Sequence, residues 1–347
     1  MYDYRGAVHL HSTYSDGHGS VDEIMQCAND AALDFVILTD HDTMKPLDDG
    51  CEKWHGSTLL ICGVEVTPRN NHYIAFGEKR LDGVENLAKL APQEYIDAMN
   101  KQNWIGFIAH PDHEGAKRFD VQSYKWLDWS VDRFGGMGIW DLMSDWLERI
   151  DGPDITMEAY TDFAHWLTGP KKVTLERWDE FNKTRRVVGI GEIDNHKSQR
   201  EFDGEKLDVF PYDWVLKTVT NHVLLNESLS KDVNKAKLQI INAFKNGRTY
   251  ISFDYWDDPT EFSFEIEGGD SCVTIGGEME LQDGARLYVS LPEKAIINVL
   301  CDGKSMWKGE DIEAVLDITS PGVYRVEAYR NNLAWILSNP IWVKKAD

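Results

Sequence analysis

Hydrophobic and polar positions follow one pattern over the first part of the chain and another over the last part. Near the N-terminus, residues 21–33 repeat apolar side chains at helical spacing, with Ser20 in the N-cap position and Glu23 in the capping-box position. A short apolar stretch at residues 7–10 precedes this helix, and a continuous apolar run at residues 35–39 follows it. Continuous runs of this kind are typical of strands buried in a parallel sheet, so the order predicts a βαβ unit.

The alternation of strands and helices continues to about residue 246 and predicts an α/β fold. Further strands are predicted at residues 58–67, 72–77, 104–109, 138–142, 186–193 and 222–225, and further helices at residues 92–102 and 231–246. Residues 117–149 are rich in Trp, Asp and Gly. Two interpretations stay open for them, a substrate-facing loop and a helical layer packed outside the sheet.

From about residue 249 the chain consists of short alternating segments separated by glycines, without a helical pattern. This change predicts a small antiparallel β-sandwich after the α/β region. We therefore expect two domains, a larger one at residues 1–252 and a smaller one at residues 253–347. A length of 347 residues fits this division, because it exceeds what one small core requires.

Charge and cysteine content narrow the possible partners. A net charge of −23 argues against nucleic acid polymers and anionic membranes, but divalent cations would still permit a small anionic substrate. The five cysteines are scattered without a Cys-x-x-Cys motif, as is typical of free thiols in a reducing compartment. With no signal peptide or membrane-spanning run expected, we predict a cytoplasmic protein with a small-molecule substrate. The oligomeric state stays open.

Histidines and carboxylates are concentrated where the predicted strands end. His9 and His11 alternate along one strand, so their side chains project to the same face. Asp194 and His196 repeat this spacing late in the chain. The complete set contains nine donors: His9, His11, Asp16, His41, Glu65, His72, His110, Asp194 and His196. The carboxyl ends of strands in repeated βα units meet at one rim, so we expect these donors to converge there.

Nine nitrogen and oxygen donors exceed what one divalent cation needs in a catalytic site. We therefore expect two to three ions, for which manganese, iron and zinc are all suitable. Glu65 is a candidate bridge because a carboxylate can divide its two oxygens between two cations. Two close ions would also lower the pKa of a shared water and give hydroxide near neutral pH. The alternative, a set of satisfied buried polar groups, would leave many of them unpaired at a high cost.

As a set, these motifs resemble those of the polymerase and histidinol phosphatase (PHP) domain over residues 5–250. The matching motifs are His9-x-His11, Ser15-Asp16-Gly17, Thr39-Asp40-His41-Asp42, Gly63-x-Glu65, His110-Pro111 and Asp194-x-His196. Residues 246–252 and 335–341 resemble the closing segments of PHP hydrolases with a C-terminal β-domain, a branch that includes carbaryl-hydrolase-like enzymes. The resemblance implies a distorted, TIM-like (β/α)7 barrel that holds up to three metals.

The resemblance also implies which residues would hold each metal. The first metal would be held by His9, His11, Glu65 and Asp194, the second by Glu65, His72 and His110, and the third by Asp16, His41 and His196. The Asp16 position is often histidine in the family. Glu192 stands where a small residue is expected, and two roles stay open for it. It would either contact the metal site or bond a neighbouring backbone group or lysine.

The leading hypothesis is a metal-dependent phosphoesterase with a trinuclear centre, acting on a small phosphate ester or nucleotide through a metal-bridging hydroxide. Glu65 would be essential, and His41 or His196 could serve as general acid. One alternative is hydrolysis of a carbamate, ester or amide at the same centre, and another is a metal-bearing binding protein without activity. Candidate substrate contacts are Arg69, Lys117, Arg118, Lys197, Arg200, His18 and His113.

Overall fold

The computed structural model describes residues 1–150, 162–202, 205–255 and 257–346, with the backbone alone at residues 118, 200–202, 205 and 207. Its α-helices are α1 Val21–Asp30, α2 Lys45–Asp48, α3 Val84–Leu87, α4 Pro92–Lys101, α5 Leu142–Arg149, α6 Lys172–Asn182, α7 Tyr212–Val215 and α8 Val233–Lys245. Short 3-10 helices lie at Lys117–Phe119 and Phe163–Trp166. Within the described residues, no helix has the length and apolar composition needed to cross a membrane.

The β-strands are also numbered in chain order. They are β1 Tyr2–Val8, β2 Phe35–Leu38, β3 Trp54–His55, β4 Thr58–Cys62, β5 Val64–Val66, β6 Tyr73–Phe76, β7 Ile105–Ile108, β8 Gly136–Asp141, β9 Val188–Glu192, β10 Gln199–Phe202, β11 Glu205–Asp208, β12 Val219–Leu225, β13 Thr249–Phe253, β14 Ser263–Gly268, β15 Ser271–Thr274, β16 Glu278–Glu280, β17 Arg286–Cys301, β18 Lys304–Asp317, β19 Gly322–Arg330, β20 Leu333–Ser338 and β21 Ile341–Lys344. The protein is thus a mixed α/β structure with a large β-rich C-terminal region.

Two sheets build the α/β region. The larger sheet contains the order β13-β12-β1-β2-β4-β3, with β1, β2 and β4 parallel to one another, and the smaller has the order β5-β6-β7-β8-β9. The sheets meet at two seams through isolated bridges, His41 to Glu65 and Leu10 to Asn195. Because these bridges do not form continuous ladders, the sheets are not closed and the predicted (β/α)7 barrel is not confirmed.

The predicted strand at residues 58–67 is divided in two at Gly63. Residues before this glycine pair with β2 in the larger sheet, whereas residues after it pair with β6 in the smaller sheet. A Cβ atom at position 63 would lie 2.7 Å from the carbonyl oxygen of Ala75, so only glycine allows this close crossing. The single-strand prediction was wrong here, and the crossing places Glu65 beside His41.

The region that the sequence left open, residues 117–149, combines irregular segments with β8 and α5. The Asp141 carboxylate caps α5 by accepting the backbone N–H groups of Met143 and Ser144.

Helix α1 begins where the sequence predicts, since the Ser20 hydroxyl at its N-cap accepts the backbone N–H of Glu23. Helix α1 ends three residues before the predicted end, because Ala32 has a left-handed backbone with φ of 54°.

The C-terminal strands β14–β21 have their own buried apolar cluster, yet they extend the larger sheet through the pairing of β13 with β20. The expected antiparallel pairing has one exception, since β16 and β21 run parallel. A buried ion pair also joins the two regions. The Arg325 guanidinium of β19 donates to both carboxylate oxygens of Asp179 on α6, at 2.5 and 2.7 Å. The domain boundary at residues 252/253 falls at the end of β13 and stays a prediction.

Candidate metal centre

The first donor group joins the ends of β1, β5 and β9. It contains His9, His11, Glu65 and Asp194. The Nε2 atom of His9 lies 3.2 Å from both Glu65 Oε2 and Asp194 Oδ1. The Nε2 atom of His11 lies 3.4 and 3.3 Å from the same two oxygens. The four ligating atoms all lie within 4.8 Å of one another, so a single cation placed between them could contact them all.

The second donor group uses the other oxygen of Glu65. The Oε1 atom lies 2.9 Å from His72 Nδ1 and 3.2 Å from His110 Nε2. Glu65 is almost completely buried, with 1 % of its side chain exposed. Its two carboxylate oxygens therefore face two different sets of imidazoles, as a bridging ligand would require.

The third donor group lies closer to the surface. The Oδ1 atom of Asp16 lies 3.2 Å from His41 Nε2 and 3.3 Å from His196 Nε2. His11 also belongs to this group, although the sequence placed it in the first group alone. The Asp16 side chain is 59 % exposed, so this group is open to solvent where the other two are enclosed.

The backbone is strained at three residues that carry donors. His9, His110 and Asp194 have φ of 71°, 24° and 49°, values that non-glycine residues rarely adopt. Strain of this kind costs energy and persists where the surrounding structure imposes it, commonly at functional sites. In this protein the three residues occupy strand ends that turn toward a common point.

The electrostatics and the hydrogen bonding of the centre fit a cation site. Within the part of the chain that the structure describes, buried atoms without a hydrogen-bond partner include His9 Nε2, both ring nitrogens of His11, His41 Nδ1, Glu65 Oε2 and His110 Nδ1. Unpaired buried polar atoms are costly, and divalent cations would satisfy those that converge on the donor groups. Burial acts to raise the pKa of Glu65, but His9, His72 and His41 hold it well below its usual value. A mixed set of nitrogen and oxygen donors suits manganese, iron or zinc.

A cavity of about 210 Å³, open to solvent, lies beside His110. Its apolar wall includes Pro111, Ile139, Trp140 and Pro170. Its polar lining includes Asp112, His113, Asp141, Asp145, Glu148 and Lys171. Asp141 was not among the predicted site residues, although it is the last residue of β8 and lines the cavity. Its position beside a donor cluster makes this cavity a natural place for substrate.

The predicted substrate contacts are dispersed. His113 lines the cavity, whereas the exposed side chains of Arg69, Lys117 and His18 do not. His18 lies next to the third donor group, since its backbone N–H donates to the carbonyl of His196. The Lys197 ammonium lies 2.6 Å from the Glu23 carboxylate and 3.3 Å from that of Asp208, so it is already paired. The side chains of Arg118 and Arg200 lie outside the described residues. A substrate-binding role for these residues stays a prediction.

Fold and site together define a mixed α/β protein with a candidate metal centre at its strand ends. Residues 7–143 match the family model of the PHP domain. The match contains all nine donors except Asp194 and His196. The PHP match and the three donor groups together imply dependence on metal.

Three solved structures are similar to the chain, each at 14 % sequence identity. A two-domain protein from Bacteroides vulgatus, containing a predicted PHP-like metal-dependent phosphoesterase, has a TM-score of 0.47 and covers 98 % of this chain and 95 % of its own. A proposed metal-dependent phosphoesterase from Bifidobacterium adolescentis has a TM-score of 0.34, with coverages of 58 % and 88 %. An amidohydrolase from Chromobacterium violaceum, with bound sulfate and no metal, has a TM-score of 0.31, with coverages of 60 % and 92 %. No curated protein matches the chain.

Proposed function

We propose that this protein is a metal-dependent hydrolase whose main activity is cleavage of a small phosphate ester or nucleotide. The observation that carries the proposal is the convergence on Glu65, whose two oxygens face separate donor groups at 2.9 to 3.4 Å. Two to three divalent ions, held by the three donor groups, would polarise the phosphoryl oxygens and lower the pKa of the attacking water.

The donor residues would have different roles according to where they lie in the centre. Glu65 would hold two ions at a fixed separation, and the buried imidazoles of His9 and His11 would keep the site rigid. His41 and His196 are half-buried beside the exposed Asp16, at the edge that a leaving group would reach. One of these two histidines would donate a proton to the leaving oxygen if it is not fully engaged by a metal.

We also propose a fold for each of the two domains and a cellular compartment for the protein. Residues 1–252 would form a distorted (β/α)7 barrel domain, in which isolated bridges join the two sheets at the seams. Residues 253–347 would form a C-terminal β-sandwich domain, as in the carbaryl-hydrolase-like branch of PHP hydrolases. We place the protein in the cytoplasm, consistent with cysteines that are all free in the structure.

A second candidate activity is hydrolysis of a carbamate, ester or amide. The cavity beside His110 favours it, because Ile139 and Trp140 contribute an apolar wall. Of the two basic side chains in its lining, Lys171 and Arg149, the first is already paired with the Glu148 carboxylate at 2.5 Å and is not free to hold a substrate phosphate. Comparing p-nitrophenyl phosphate and AMP with an aryl acetate and an aryl carbamate would separate the two activities.

A matched pair of histidines tests the proposal. His110 and His113 are both 5 % exposed, but only His110 belongs to one of the three donor groups. We expect His110→Gln to lower the bound metal and to reduce turnover roughly 100-fold or more, on the scale of losing a charge-stabilising group. His113→Gln should keep the wild-type metal content. Equal metal content in the two variants, measured by elemental analysis, would refute the assignment of His110.

A further inference from the structure

A buried carboxylate outside the three donor groups contacts two of the donor residues. Glu192, the last residue of β9, is completely buried. Its Oε2 atom lies 2.8 Å from Nδ1 of His9. Both of its oxygens accept the backbone N–H of His110, at 2.9 and 3.2 Å. These contacts settle the question that the sequence left open, because the side chain bonds a donor histidine as well as a neighbouring backbone group.

The space for this carboxylate depends on Gly138 of β8. A Cβ atom at position 138 would lie 1.2 Å from Glu192 Oε1, which no side chain could tolerate without displacing the carboxylate. Among the described residues, Glu192 forms no ion pair with a lysine or an arginine. The side chain of Glu192 thus occupies a buried space beside the donor groups, and both of its described side-chain contacts are with donor residues.

The hydrogen bond to Glu192 determines which nitrogen of His9 carries the proton. A carboxylate accepts, so Nδ1 of His9 donates and holds the proton. In the neutral ring, which is the form that binds metal, the Nε2 atom then has a free lone pair, and this atom faces Glu65 and Asp194 at 3.2 Å. Carboxylate–histidine pairs orient metal-binding imidazoles in this way and make them more basic.

We propose that Glu192 is a positioning residue that prepares the centre for metal by fixing the tautomer of His9 and the strained backbone of His110. The inference rests on the proposed metal-binding function. His9 belongs to the first donor group and His110 to the second. One carboxylate therefore supports ligands of two neighbouring ions, and its loss weakens both sites, the first more strongly.

The variant Glu192→Gln separates this role from simple packing, because glutamine has nearly the same shape. If the amide oxygen accepts from His110, the amide NH₂ faces His9 and forces the proton onto Nε2, which blocks the metal-facing atom. If the amide is turned round, its NH₂ takes the Oε1 position and faces the N–H of His110, so the shorter of the two hydrogen bonds from His110 is replaced by a contact between two donors. A structural role would be rescued by Gln and lost in Glu192→Ala, whereas the positioning role is lost in both.

The test is titration of the metal-free protein with Mn²⁺ and with Zn²⁺ against a chromophoric chelator. We expect Glu192→Gln and Glu192→Ala to bind both ions about 10- to 100-fold more weakly than the wild type. The control is Glu52→Gln. Glu52 is also largely buried, accepting the N–H of Cys62 at 3.0 Å and pairing with Lys237 at 2.6 Å, away from the donor groups. Glu52→Gln should keep wild-type affinity.

The outcomes distinguish this inference from the proposed function. Wild-type protein that binds neither ion would overturn both. Wild-type protein that binds metal, together with a folded Glu192→Gln variant of equal affinity, would overturn the positioning role alone. Circular dichroism and urea unfolding establish that each variant is folded, and a folded Glu192→Gln variant with weakened metal binding supports the inference.

Discussion

At the scale of single residues, contacts with the donor cluster restrict which side chains some positions can hold. Gly138 is an example, since its missing side chain is the space that Glu192 occupies. His11 is another, because it lies in two donor groups and neither of its ring nitrogens has a hydrogen-bond partner among the residues that the structure describes. Burial, together with the charges of His196 and His41, lowers the pKa of His11 well below its usual value. Low basicity favours the neutral imidazole, which is the form that binds metals.

Two glycine variants separate a local effect on the centre from a general effect on packing. A Cβ at Gly138 would strike Glu192, whereas one at Gly189 of β9 would lie 2.7 Å from the ring of Trp178. We expect both Gly138→Ala and Gly189→Ala to destabilise the fold by about 1–3 kcal/mol, the usual cost of overpacking. Metal affinity should fall in Gly138→Ala alone. Unfolding curves and metal titrations of the two variants check this, and equal metal affinities would contradict it.

The residue pattern made much of the centre predictable. The proximity of His9 to His11 was anticipated, but the predicted reason, alternation along one strand, was wrong. Strand β1 ends at Val8 and His9 has φ of 71°, so the two imidazoles meet just past the end of the strand. The partners of Glu192 could not be predicted, because its contact with His9 spans 183 residues of chain. The partner of Lys197 could not be predicted from the sequence either, because Glu23 lies 174 residues away along the chain. This pairing means that the Lys197 ammonium is not free to bind a substrate anion.

At the scale of elements, the seams between the sheets position the donors. Glu65 lies just past the crossing at Gly63, and the bridge from Leu10 to Asn195 brings the ends of β1 and β9 together. The apolar runs predicted β2 and β7 well because buried strands have continuous apolar sequence. The division at Gly63 was not predicted, because the apolar run continues through it and only the tertiary crossing demands a glycine.

The ion pair between α6 and β19 is expected to contribute to stability without affecting metal binding. Arg325 is 2 % exposed and binds both Asp179 and Glu327, at 2.5 to 2.7 Å. We expect Arg325→Ala to destabilise the protein by about 3–5 kcal/mol, since it leaves buried carboxylates without a partner. The control is Arg286→Ala, whose exposed pair with Asp317 should contribute less than about 1 kcal/mol. Urea unfolding measures both, and similar losses would contradict the expectation.

At the scale of the whole molecule, a buried histidine links stability to pH where the N-terminal strand meets β12 and β13. His222 lies 2.8 Å from Asp3 and 3.8 Å from Asp254, and its ring stacks on Tyr250. Arg5 also lies nearby, 3.6 Å from Asp254. Burial acts to lower the pKa of His222, but the two aspartates raise it to about 9.

A raised pKa in the folded state gives stability at low pH that is lost at high pH. The contribution of His222 is fully present below its ordinary pKa of about 6.5 and disappears as the pH rises through about 9. The shift corresponds to about 3 kcal/mol. We therefore expect the difference in unfolding free energy between wild type and His222→Gln to shrink by about this amount from pH 6 to pH 9.5. A difference that stays constant over this range would contradict the assignment.

The central claim concerns the whole centre: nine donors from distant parts of the chain bind divalent cations around Glu65. The most direct measurement is the metal content of chelator-treated protein after reloading with Mn²⁺ or Zn²⁺, compared between wild type and Glu65→Gln. We predict two or three ions per wild-type chain with recovery of hydrolysis, and loss of both metal and turnover in Glu65→Gln. A wild-type chain that takes up no ion, or a Glu65→Gln variant with wild-type metal content and activity, would contradict the account.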